Sequence, residues 1–168
     1  MSVTVQLHAP ARVTLNRART GSSCPELWAA LDDVKDPEIP VLSIWDLGIL
    51  QDVQRSEDGA KVVITPTYSG CPAIDTIRQD IVECLARQGV AQVEVDVRLS
   101  PAWSTDWMGR DAKDALREYG IAPPGSHDCP QCGSDDTQLV SEFGSTSCKS
   151  LHRCHSCLEP FDHFKTLT

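Results

Sequence analysis

The sequence lacks the segments that would place the protein in a membrane or direct it out of the cell. Its 168 residues contain no apolar run of membrane-spanning length. The first residues carry no apolar block of the kind found in secretory signals. We therefore expect a cytoplasmic protein that does not contact the membrane.

The sequence also lacks the patterns of common enzyme classes. It has no glycine-rich dinucleotide fingerprint and no carboxylate–histidine set for a di-iron centre. No nucleophile stands at a recognisable spacing from a base. We expect a protein without catalytic activity of its own.

Positive charge is scarce as well. The chain has 15 lysines and arginines against 24 acidic residues, a net charge of −9. An acidic surface repels phosphate backbones, so nucleic-acid binding is not expected and basic or redox protein partners fit better. Residues 1–22 are the exception, because they carry Arg12, Arg17 and Arg19 and no acid. They show no sustained hydrophobic period, which predicts a flexible N-terminal tail.

The hydrophobic pattern of residues 23–122 predicts alternating helices and strands. Ser23 and Glu26 have the spacing of a capping box, and apolar residues at helical spacing follow as far as Asp36. A hairpin is predicted with strands at 49–53 and 61–65.

The second half of this region repeats the alternation. A helix is expected between Pro72 and Gly89, then a half-buried strand over 93–99, and a last helix that ends at Gly120. This order predicts a small two-layer α+β domain with helices on one face of a sheet. A proline- and glycine-containing linker over 123–126 follows.

Residues 127–168 contain two C-x-x-C pairs, formed by Cys129, Cys132, Cys154 and Cys157. Each pair places two sulfurs on one metal ion, and so short a segment needs a metal to fold. We predict a zinc-ribbon-like module with one structural zinc ion. Four thiolates also suit iron or an iron–sulfur cluster, and Cys148 is an alternative ligand.

Cys71 is the other cysteine with a suggestive position, in the sequence Gly70-Cys71-Pro72 ahead of a predicted helix. Backbone N–H groups and the positive dipole end would stabilise a thiolate there, whereas the alternative is a buried, inert cysteine. Two prolines stiffen the loop that carries Asp36 and Glu38, so these carboxylates are candidates for a fixed position.

These motifs together resemble a known family. The segments Asp36-Pro37-Glu38-Ile39-Pro40, Asp46-Leu47-Gly48, Gly70-Cys71-Pro72 and Pro101-Ala102-Trp103 are similar to the iron–sulfur assembly domain family over about residues 25–122. The four-cysteine tail, with the segment from Phe143 to Lys149, resembles the small D subunits of phenylacetyl-CoA epoxidase systems.

The resemblance implies a site, a role and partners. It places transient handling of iron or a cluster on Cys71, with Asp36 and Glu38 nearby, and it makes Cys148 part of the tail motif. The implied partners are the other subunits of the epoxidase, which are an oxygenase with a di-iron centre and a flavin and iron–sulfur reductase.

Three functions follow for comparison. The first is a non-catalytic accessory subunit in aerobic phenylacetate degradation that assists iron or iron–sulfur maturation of a partner. The alternative is an integral structural or electron-transfer component with a redox metal at the four-cysteine site. A thiol enzyme that uses Cys71 is the third, and it lacks an identifiable base. Visible absorbance separates the first two, because an iron–sulfur site absorbs visible light and zinc does not.

Overall fold

The computed structural model describes residues 12–167. Its helices are Arg12–Thr20 (α1), Pro25–Leu31 (α2), Ala73–Arg87 (α3) and Arg110–Tyr119 (α4), with a turn of 3-10 helix at Thr105–Trp107. Its strands are Leu50–Ser56 (β1), Gly59–Ile64 (β2), Gln92–Val97 (β3), Ile121–Ala122 (β4), Thr137–Ser141 (β5), Lys149–Cys154 (β6) and Pro160–Phe164 (β7). No helix between residues 12 and 167 is long and apolar enough to cross a membrane.

The first sheet has the order β1-β2-β3. β1 and β2 form the predicted antiparallel hairpin, and β3 lies parallel to β2 after the crossover through α3. The apolar face of α3 is buried through Ile77, Ile81 and Leu85, as its helical spacing predicts. The predicted α+β class is therefore confirmed.

The start and end of α2 differ from the prediction. The helix has Cys24, not Ser23, at its N-cap, and no side chain caps it. Instead, the Ser22 hydroxyl accepts a hydrogen bond from the Cys24 N–H at 3.1 Å. The helix ends at Leu31, and an irregular loop then carries the chain to Asp36.

Three strands of the cysteine-rich segment form the second sheet together with β4, in the order β4-β7-β6-β5. β4 directly follows α4 and pairs in parallel with β7. The Trp103 ring packs against the Phe164 ring at 5.9 Å, and the Thr105 N–H donates to the Leu167 carbonyl at 3.0 Å. The ribbon therefore packs directly on the first sheet's domain.

The prediction of a flexible tail over residues 1–22 is wrong for α1, while residues 1–11 lie outside the described residues. Arg12 Nη1 donates to the carbonyls of Trp45, at 2.6 Å, and Trp107, at 2.9 Å. Arg19 forms a two-bond ion pair with Asp32 at 2.8 and 2.6 Å. These contacts join residues that are far apart in the sequence. The helix therefore has no local hydrophobic period from which it could be predicted.

We expect Arg12→Ala to release α1 from the rest of the protein. The guanidinium lies 4.0 Å from the Trp45 ring centre in addition to its two hydrogen bonds. Loss of these contacts should lower the free energy of unfolding by about 1–3 kcal/mol. Amide hydrogen exchange over 15–20 measures the release. Arg17→Ala, at an exposed position of the same helix, is the control, and equal protection in both variants would contradict this role for Arg12.

Candidate metal centre and cysteine pocket

The four cysteines of the two C-x-x-C pairs lie together at one end of the ribbon. Their sulfur atoms all lie within 4.8 Å of one another. The shortest separations are 3.6 Å, between Cys129 and Cys157 and between Cys132 and Cys154. The first turn closes with Gly133 at φ +76°, the conformation for which glycine is suited.

This arrangement fits a tetrahedral metal ion. Zinc–sulfur bonds of about 2.3 Å place the sulfurs of a tetrahedral site about 3.8 Å apart, close to the observed separations. The backbone N–H groups of Cys157 and Ser156 direct their protons toward Cys154 and lower the pKa of its thiol to about 6. A thiolate is the form that binds metal. The donor set and the spacing of the four cysteines are therefore those of a metal-binding site.

Cys71 lies in the loop between β2 and α3, one residue before the Pro72 N-cap of that helix. Its side chain is half-buried. Burial raises the pKa of this thiol, the Ala73 N–H opposes the shift, and the charge of Asp36 adds to it. Burial and the charge of the nearby carboxylate therefore oppose the stabilisation of the Cys71 thiolate that the start of the helix provides.

Asp36 is held rigidly beside Cys71. Only 7% of its surface is exposed, and its Oδ1 accepts hydrogen bonds from the N–H groups of Glu38, at 2.8 Å, and Ile39, at 2.9 Å. Burial raises the pKa of the Asp36 carboxyl, and these two N–H groups oppose the shift. Glu38 lies at the exposed rim. The stiff loop therefore fixes one carboxylate and leaves the other at the surface.

One narrow pocket joins these residues to the ribbon, and we call it the cysteine pocket. The first sheet's domain contributes polar groups from Asp36, Glu38, Tyr68 and Cys71, and the ribbon contributes Thr146 and Cys148. Its other lining residues are Ile39, Leu47, Thr67, Pro72, Ala73 and Phe164.

Cys148 is the ribbon's main contribution to the cysteine pocket. It is 8% exposed, and its sulfur lies 3.1 Å from the Thr146 hydroxyl. Burial raises the pKa of its thiol, and the nearby Cys71 and Asp36 add to the rise. Cys148 lies outside the four-cysteine group, whose four sulfurs already make up a complete ligand set without it.

Sequence reasoning did not assign a role to Tyr68 or Thr146. Tyr68 lies near Cys71, and Thr146 lies near Cys148. Burial and, to a smaller extent, the charge of Cys71 raise the pKa of the Tyr68 phenol. Trp103, from the Pro101-Ala102-Trp103 motif, is structural instead. It is buried, and its ring N–H donates to the Leu47 carbonyl at 3.0 Å.

Comparison with known proteins agrees with this two-part arrangement. The model of an iron–sulfur cluster assembly protein family matches residues 25–97, and that of the PaaD zinc beta ribbon domain matches residues 119–165. A crystal structure of a domain of unknown function from Bacillus anthracis is 33% identical. It aligns with a TM-score of 0.51 and covers 63% of this chain and 93% of that one.

Two curated relatives are also similar. An Fe-S protein maturation auxiliary factor of Porphyromonas gingivalis is 38% identical over 93 residues, which is 54% of this chain and 85% of the relative. A protein of Escherichia coli, provisionally named as the D subunit of 1,2-phenylacetyl-CoA epoxidase, is 49% identical over 152 residues, 84% of this chain and 92% of the relative.

The fold and the matches define an iron–sulfur assembly domain that carries a C-terminal zinc beta ribbon. Within that class, the chain belongs to the PaaD family, to which the Escherichia coli relative also belongs. The resemblance inferred from the motifs is confirmed, and an accessory role in iron–sulfur protein maturation is supported.

Proposed function

We propose that this protein is a non-catalytic cytoplasmic subunit that helps to load iron or an iron–sulfur cluster into a partner subunit of a phenylacetyl-CoA epoxidase. The observation that carries the proposal is the cysteine pocket. It brings Cys71 and Asp36 of the assembly domain together with Cys148 of the ribbon in one cavity.

The donor set of the pocket suits iron as cargo. Thiolates bind iron and its clusters, and a carboxylate adds a harder ligand. Burial raises the pKa of both thiols, so they are protonated at neutral pH before an ion binds. An arriving cation displaces these protons and takes their place. Two thiols and one carboxylate leave positions on the ion for ligands from a partner, as transfer requires.

The ribbon has two tasks in this proposal. Its four cysteines hold a structural zinc ion, because a closed set of four thiolates leaves no open position for chemistry. The folded ribbon then places Cys148 in the cysteine pocket. Zinc at this site is part of the proposal, and the four-thiolate geometry supports it.

The ribbon also offers a surface for the partner subunit. Several of its large apolar side chains are about half exposed or more, namely Leu139, Val140, Phe143 and Leu158. Large apolar side chains exposed on a small module are available for contact with a partner. Phe143 begins the segment that leads to Cys148, so a partner bound there would lie next to the cysteine pocket.

The test is maturation of the epoxidase itself. The oxygenase and reductase subunits are produced in cells that lack this protein, purified without oxygen, and supplied with iron in its presence or absence. We expect the iron content and epoxidase activity of the partner to rise only when the protein is present. Full iron content without it would overturn the proposal.

A further inference from the structure

Three histidines of the ribbon converge at a place separate from both the four-cysteine site and the cysteine pocket. They are His127, just before the first C-x-x-C pair, His152 in β6 and His163 in β7. One ring nitrogen from each lies within 4.8 Å of the others. We call this group the histidine trio.

Strand pairing explains how the trio forms. Ser150 and His152 are two residues apart in β6 and therefore share one face of the sheet. His163 lies directly opposite Ser150 in β7. The His127 backbone is fixed because its carbonyl accepts a hydrogen bond from Thr137 Oγ1 at 2.9 Å, and its ring lies 4.3 Å from that of His163.

Ser150 orients the two buried rings. Its Oγ lies 3.1 Å from His152 Nε2 and 3.3 Å from His163 Nδ1. The hydroxyl oxygen can accept a hydrogen bond from an N–H group of each ring, which leaves the other nitrogen of each ring with a free lone pair. Ligating histidines are held in the same way, by a hydrogen bond on the nitrogen that does not bind metal.

The free nitrogen of His163 is the strongest sign of a ligand. His163 is 4% exposed, and its Nε2 is buried with no hydrogen-bond partner among the described residues. Buried polar atoms are almost always paired.

We propose that His127, His152 and His163 form a second metal site for a divalent transition-metal cation of the zinc type. Three neutral imidazoles are a common zinc ligand set and leave a fourth position open, unlike the closed four-thiolate site. Zinc–nitrogen bonds of about 2.0–2.1 Å bring the nitrogens to about 3.4 Å from one another. His127 is exposed, so its side chain can move inward to close the site.

The test counts zinc by equilibrium dialysis of the full chain under reducing conditions. Cys71→Ser and Cys148→Ser are present throughout, so that the cysteine pocket takes up no metal. We expect His127→Ala and His163→Phe to bind one zinc ion fewer per chain than this parent. His155→Ala is the matched control, since His155 is exposed, pairs with Asp136 at 3.0 Å and lies outside the trio, and it should bind as many as the parent.

Cobalt substitution identifies which site is lost. A four-thiolate cobalt site has strong sulfur-to-metal charge-transfer absorption, and the two trio variants should keep it unchanged while losing the weaker bands of a nitrogen site. If His163→Phe fails to fold, His127→Ala decides the question, because the His127 side chain is exposed. Equal zinc binding by parent and His127→Ala would overturn the proposal, and so would uptake of a single zinc ion by the parent at saturation.

Discussion

Replacement of Cys129 with serine is expected to remove the metal and unfold residues 127–167. Cys129 is fully buried at the centre of the four-cysteine site, and a serine hydroxyl cannot supply the fourth thiolate. Metal binding provides on the order of 10–16 kcal/mol to folding in small zinc modules. Zinc analysis and limited proteolysis would show the loss of metal and the new cleavage sites.

The damage should reach the first sheet's domain as well. Cys148 and Phe164 of the ribbon belong to the same buried cluster as Trp103 and Trp107 of that domain. We therefore expect a lower melting temperature for the domain, not only for the ribbon. Cys84→Ser is the matched control, because Cys84 is a buried cysteine whose thiol donates to the Ala30 carbonyl at 3.2 Å, a bond that serine can keep. A Cys129→Ser protein that retained its metal would contradict the assignment.

The second large effect is expected from Cys71→Ser and Cys148→Ser, tested separately. Each removes one thiol from the cysteine pocket and leaves the four-cysteine site intact. We expect both variants to fold, to keep their zinc, and to leave the partner's iron content at the level seen without this protein. The readouts are iron content and epoxidase activity of the partner after reconstitution.

The pair of variants also separates two roles for the ribbon. If the ribbon only docks the partner, Cys148→Ser would behave like wild type while Cys71→Ser fails. If Cys148 is a ligand, the two variants fail together. If the Cys71→Ser variant matured the partner fully, the proposed role of the cysteine pocket in maturation would be contradicted. Cys84→Ser should mature the partner as well as the wild-type protein does.

The parts of the fold with local signals could be predicted from the sequence. The hairpin of β1 and β2 follows from two short β-prone runs separated by a turn that contains Gly59. The buried face of α3 follows from a period of three to four residues. The four-cysteine group follows from spacing alone, because each C-x-x-C turn places its own two sulfurs.

The rest depends on contacts between distant residues. α1 is held by Arg12 and Arg19 against groups that lie elsewhere in the sequence, so its residues resemble a tail. Cys71 and Cys148 share a pocket only because the ribbon packs on the first domain. The burial that raises the pKa of Cys71 comes from residues distant in the sequence, so the position of Cys71 ahead of a helix does not reveal it.

The role of the cysteine pocket in binding iron is tested by metal analysis with visible absorbance on protein purified without oxygen, before and after incubation with ferrous iron and sulfide. We expect the protein to be colourless and to contain zinc as purified. We expect incubation to add iron-dependent colour, and we expect the Cys71→Ser, Cys148→Ser double variant to keep its zinc but gain no colour. Iron and sulfide in place of zinc in the purified protein, with colour retained in the double variant, would contradict this role. The four-cysteine site would then be the redox centre of an electron-transfer subunit.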